Sequence, residues 1–128
     1  MKLGLAATSL LVLAASGAVA ADRLPLIRGI YVLAGTPCEG ASNVDTLSYW
    51  GDDNGINDQR THCHIITMAK NGSTYALRRT CTDIRAGATF DDSAEITIRN
   101  QTSFIVLDRT NPRAEGRQFR YCGPKVQF

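Results

Sequence analysis

Thr61-His62-Cys63-His64-Ile65-Ile66-Thr67-Met68-Ala69-Lys70-Asn71-Gly72-Ser73-Thr74-Tyr75-Ala76-Leu77-Arg78-Arg79-Thr80-Cys81 decides the fold. Two runs rich in β-branched and aromatic residues meet at Asn-Gly, a dipeptide that tolerates the positive φ angles of a tight hairpin turn. A two-residue turn at Asn71-Gly72 gathers Ile66, Met68, Tyr75 and Leu77 on one face, a good core stripe, but sets Thr80 opposite Cys63. A three-residue turn over 71–73 sets Cys63 against Cys81 instead. Side chains alternate with period two, so these registers exclude each other unless a bulge intervenes.

Outward from this hairpin the same grammar recurs. Glu95-Ile96-Thr97-Ile98-Arg99 alternates, Asn100-Gln101 turns the chain, and Ser103-Phe104-Ile105-Val106-Leu107 returns. Ile96 and Ile98 share one face, as do Phe104 and Val106, with Tyr31 and Leu33 serving the same core. Strands are expected over 29–34, 44–50, 61–70, 74–81, 94–99, 103–108 and 118–122, after an extended lead-in at Leu24-Pro25-Leu26. The expected fold is all-β: a small antiparallel up-and-down barrel or sandwich of about seven strands with two disulfides.

The N-terminus reads as a leader. Lys2 precedes a charge-free stretch whose centre is Leu10-Leu11-Val12-Leu13-Ala14-Ala15, and Ala18-Val19-Ala20-Ala21 offers the small residues that signal peptidase needs. Residues 1–21 are assigned to the signal peptide, with cleavage before Ala21 or Asp22, and 22–128 to a single β-domain. No cysteine follows the cleavage region to carry a lipid anchor, and no membrane span is expected after cleavage. Removing Lys2 leaves basic and acidic residues nearly balanced, which argues against nucleic acid as a partner. Cys38, Cys63, Cys81 and Cys122 are even in number behind a leader and lack Cys-x-x-Cys spacing, so they read as disulfides of an exported protein. In a seven-strand meander, Cys38 and Cys122 fall at one end and Cys63 and Cys81 at the other. This favours Cys38–Cys122 with Cys63–Cys81; Cys38–Cys63 with Cys81–Cys122 is the alternative.

Chemistry-bearing patterns are sparse. His62 and His64 project from one strand face at a spacing that can hold a metal, with Asp58 or Asp83 as a third ligand, but two ligands are not a site. Cys63 points away from both rings, so neither activates it. There is no Gly-x-Ser-x-Gly elbow, phosphate-cradling loop or cofactor fingerprint, so no catalytic, cofactor or metal residues are assigned and the chain is read as non-enzymatic. The loop from Tyr49 to Asp58 carries the only tryptophan with acids and amides. Asp52 and Asn54 suit calcium, but Ile56 fails the next ligand position. Tyr49, Trp50, Asp52 and Asp53 are candidates for a carbohydrate or cell-envelope platform, although Trp50 is expected to be core. Asn71-Gly72-Ser73 and Asn100-Gln101-Thr102 match the glycosylation sequon; the Ala-rich leader reads as bacterial, which makes both chance matches.

Asn71-Gly72-Ser73-Thr74-Tyr75 on a hairpin resembles the tip that periplasmic inhibitors of C-type lysozyme present to the enzyme cleft, in its spacing of Gly72 and Tyr75. Asn71 stands where that family has serine, and its following tryptophan–lysine motif is missing. A different family of exported bacterial proteins is the preferred home. The resemblance implies a small β-barrel offering Asn71, Gly72, Ser73 and Tyr75 to a secreted hydrolase. The expectation is thus a periplasmic or secreted binding protein. Its alternatives are an inhibitor acting through 71–75, a glycan binder, and a small hydrolase.

Overall fold

The computed structural model describes residues 4, 17–21, 23–51, 56–109, 113, 115–126. Among them are nine strands: β1 (Val19–Ala20), β2 (Gly29–Leu33), β3 (Thr46–Tyr49), β4 (Ile56–Asn57), β5 (Thr61–Asn71), β6 (Thr74–Asp83), β7 (Thr89–Asn100), β8 (Ser103–Asp108) and β9 (Arg117–Tyr121). They form one antiparallel sheet in the order β1-β5-β6-β7-β8-β9-β2-β3-β4, curled into a half-barrel. The expected count of seven is corrected to nine. The additions, β1 and β4, are two residues each, too short for any alternation to be read. Val44 lies in a 3-10 turn before β3 rather than in the strand. No helix among the described residues is long and apolar enough to cross a membrane.

The central hairpin satisfies both demands of its sequence. Asn71 pairs with Thr74, so the turn is Gly72-Ser73, one residue later than expected, with Gly72 at φ 62°. Met68, Tyr75 and Leu77 then face the core. The register shifts between Ile65 and Thr67, and beyond this bulge Cys63 faces Cys81. The extra residue is Ile66, which is 58% exposed instead of joining the core. A residue expelled at a bulge keeps the stripes on both sides of it in register.

Both disulfides, Cys38–Cys122 and Cys63–Cys81, form in the favoured pairing and suit an oxidising extracellular or periplasmic setting. Cys63 and Cys81 are cross-strand neighbours, as strand direction predicts. Strand direction does not account for Cys38–Cys122. Seven alternating strands would make the first and last parallel, whereas β4 supplies an eighth and β2 runs antiparallel to β9. Past the end of β2 the chain turns at Thr36, whose N–H reaches the Leu33 carbonyl, and Cys38 meets Cys122 beside Ile30 and Val32, apart from the main core.

The main core fills one end of the half-barrel. Tyr31, Phe104 and Phe119 form a ring stack, with Tyr31 at 4.9 Å from Phe104 and Phe119 at 5.7 Å. Leu24, from the lead-in, plugs this end at 1% exposure. Phenol hydroxyls are satisfied there by carbonyls: Tyr49 donates to Leu24 at 3.0 Å, Tyr31 to Ile27 at 2.5 Å. Gly29, at φ 147°, lets the chain enter the barrel wall, because a Cβ there would sit 2.5 Å from the Gly123 carbonyl oxygen.

Candidate functional site

Opposite the plugged end, a charged pair interrupts the apolar inward stripes before the strands end. On β6 the stripe reads Tyr75, Leu77, Arg79, Cys81; on β7 it reads Ile96, Ala94, Asp92, Phe90. The result is a cup of about 430 Å³. Ile56, Ala94, Ile96 and Phe119 make its floor and are all nearly inaccessible to solvent. Asp58, Asp108, Glu115 and Arg117 stand exposed at its mouth. That size lies within the range of small-molecule sites, which pair an apolar lining with a few polar groups.

Arg79 and Asp92 are register partners and form the cup's central ion pair. The guanidinium is bidentate, with Nε at 2.8 Å from Oδ1 and Nη2 at 2.7 Å from Oδ2. Both side chains are largely buried, at 13% and 18% exposure, where such a pair is strong only if its remaining donors find partners. Nη1 supplies one by donating to the Ile56 carbonyl at 2.9 Å. This contact has a second consequence. Among the described residues no strand ladder joins β4 to β5, and Arg79 reaches across to β4 from within the barrel. Asn57 reaches the other way, its Oδ1 accepting the Cys63 N–H at 2.9 Å. Side chains therefore close the seam that backbone pairing leaves open. At the mouth, Arg117 bonds Asp45 at 3.1 Å and lies over the Phe119 ring, 5.4 Å from its centroid.

The residues singled out from sequence do not converge. Tyr49 is in the core, while Trp50, its neighbour on the opposite face, is 46% exposed, which corrects the expectation of a core tryptophan. The two rings therefore cannot share a platform. Trp50 lines a shallow outer groove with Ser48, Asn57 and Gln59. Asp52 and Asp53 lie outside the described residues. Asn71, Gly72 and Ser73 are exposed at the hairpin tip, but Tyr75 is 4% exposed inside the core. His62 and His64 face outward edge to face, 5.0 Å apart. Asp58 and Asp83, offered as their third ligand, each use a carboxylate oxygen to accept backbone N–H groups of the following turn. Cys63 and Cys81 do lie with Asp92 in a compact group, but both sulfurs are spent on the disulfide.

Arg79, Asp92 and Arg117 escaped notice in the sequence. The available signal was a charged residue continuing an apolar inward stripe, visible only once the register is known. Two titratable groups at opposite ends are shifted. Burial, with Tyr121 and Tyr49 close by, pushes the Tyr31 phenol up to about 12. At the mouth end, the N–H groups of Ala86 and Arg85 hold the Asp83 carboxyl below its usual value. No family model, curated protein or solved structure matches this chain.

Proposed function

We propose that the protein is an exported, non-enzymatic binding protein whose ligand is a small amphiphile held in the cup. The carrying observation is the cup itself: a 430 Å³ concavity with a buried apolar floor, ringed by charges of both signs. An aliphatic or aromatic body would displace water from the half-buried Leu47 and Val106 and the exposed Phe90, while its polar group remained at the mouth beside Arg117 and Glu115. Non-enzymatic binding suits the principal ion pair, because Arg79 and Asp92 are engaged with each other and with β4. The leader reading and the disulfides together support export.

The test is uptake of the amphiphilic dye 1-anilinonaphthalene-8-sulfonate, monitored by its fluorescence, with displacement by a series of acyl amphiphiles. Val106→Trp should fill the cup and abolish uptake while leaving the unfolding transition cooperative. No uptake by the unaltered chain, or unchanged uptake by V106W, would remove the cup as the site.

A second reading keeps the hairpin tip as an inhibitory loop. It is favoured by the exposure of Asn71, Gly72 and Ser73 at the end of two long paired strands. Inhibition of a C-type lysozyme or secreted protease at micromolar protein, lost in Ser73→Ala, supports it. Tyr75 would then act as a core residue and not as a contact.

A further inference from the structure

Arg120 lies against the sulfur atoms of Cys38–Cys122. Its Nη1 is 3.0 Å from Cys38 Sγ and 3.5 Å from Cys122 Sγ. Nη2 donates to the Thr36 carbonyl at 2.6 Å, which fixes the guanidinium in place. A neutral disulfide gains little from a cation. A thiolate gains a great deal, and a cation beside a cysteine lowers its thiol pKa.

We propose that Cys38–Cys122 is a thiol-exchange site that takes a low-molecular-weight thiol onto Cys38. Cys38 is half-buried and Cys122 is 6% exposed, so an incoming thiolate reaches Cys38 Sγ first. Its sulfur bonds to Cys38, the Cys38–Cys122 bond breaks, and the bonding pair leaves on Cys122 Sγ as a thiolate beside Arg120. One disulfide is exchanged for another, with no net oxidation. A second thiol can then attack the mixed disulfide, releasing Cys38 and the oxidised small thiol, which completes a two-electron reduction. Exchange is faster when the leaving thiol has a lower pKa, and Arg120 acts on that step.

Cys63–Cys81 is shut off from an incoming thiol. Its cysteines are 3% and 0% exposed, and an Asp92 carboxylate oxygen lies within 4.8 Å of both sulfurs. Burial disfavours a thiolate there and bars an incoming thiol, and among the described residues no unpaired cation waits beside it, because the Asp92 charge is matched by Arg79. The molecule thus carries one exchangeable bridge and one inert bridge, a property independent of what the cup binds.

The experiment treats the full chain, with both disulfides formed, with excess reduced glutathione under native conditions, followed by alkylation and peptide mapping. The expected product carries glutathione on Cys38 and an alkyl group on Cys122, with Cys63–Cys81 intact. Arg120→Gln should slow adduct formation by about tenfold, and Arg120→Lys by much less, because it keeps the charge. An Arg120 that merely packs the loop predicts the reverse, since its loss would loosen the bridge and speed attack. Faster or unchanged exchange in R120Q, an adduct on Cys122, or Cys63–Cys81 opening first or together with its partner overturns the proposal. If R120Q does not fold, the adduct position and the order of opening in the unaltered chain decide.

Discussion

The two ends of the half-barrel are built from the same strands and hold together differently. At the plugged end, rings and aliphatic chains fill the interior, and the polar atoms are neutral hydroxyls donating to carbonyls. At the mouth, the interior is a partly open cup, and a charged pair bridges a seam that the backbone leaves unpaired. Burial stabilises the first end without regard to direction, roughly in proportion to the apolar area removed from water. The second end depends on geometry, because a largely buried ion pair is favourable only while both members and their further partners stay in place. One fold thus has a close-packed base and a mouth whose integrity depends on a few hydrogen bonds.

The sharpest way to break this contrast is at the base. Phe104 is fully buried between Tyr31 and Phe119, so Phe104→Ala should cost about 3–5 kcal/mol through lost burial and an unfilled cavity. Urea denaturation measures this, and a loss under 1 kcal/mol would mean that the ring stack is not the centre of the core. At the mouth, Asp92→Ala should cost less, about 2–3 kcal/mol, because Arg79 is left short of its partner yet keeps its Ile56 contact. Its distinctive signature is local: faster amide exchange at Cys63, whose N–H bonds across the seam, with the near-ultraviolet signal of the tyrosines at the base unchanged. Equal effects at both ends would erase the distinction.

The smallest effects are those of pH, and they have opposite signs at the two ends. The folded-state pKa of Tyr31 is raised to about 12 from 10.0, so its contribution is fully present below pH 10 and is lost as pH rises towards 12. Absorbance at 295 nm should show a phenol titrating near 12 in the native protein, and its appearance at 10 would sink this assignment. Asp83 behaves in reverse: its folded pKa lies below 3.8, so its contribution is present above that value and fades as pH falls through the folded pKa. Asp83→Asn should flatten the acid limb of the stability profile slightly and leave the alkaline limb alone.

The leader reading bears on the base as well. Val19 and Ala20 pair with Lys70 and Ala69 as β1, inside the segment assigned to the signal peptide. Ala21, whose N–H bonds the Met68 carbonyl at 3.1 Å, packs on the core at the edge of that segment. Cleavage at the expected positions would remove β1 and return the outer edge of β5 at Lys70 to water.

What the sequence determined by itself was local and periodic. Alternation in Glu95–Arg99 and Ser103–Leu107 set which residues face inward, because a strand's side chains have period two whatever its neighbours. The Asn-Gly pair placed a hairpin, and the four cysteines required two covalent ties in an oxidising setting. The tension between the Met68 stripe and the Cys63–Cys81 bridge was also visible, together with a bulge as its remedy. Tertiary structure decided everything that depends on which strands meet. The two-residue strands β1 and β4 are too short to carry a pattern and exist through their partners. β4 made the strand count even across the closing pair, which reversed β9 relative to β2 and sent Cys38 back to Cys122 by a route that counting strands had not given. The cup arose in the same way: Arg79 and Asp92 are 13 residues apart in the chain, and only the registered pairing of β6 with β7 places their opposite charges face to face.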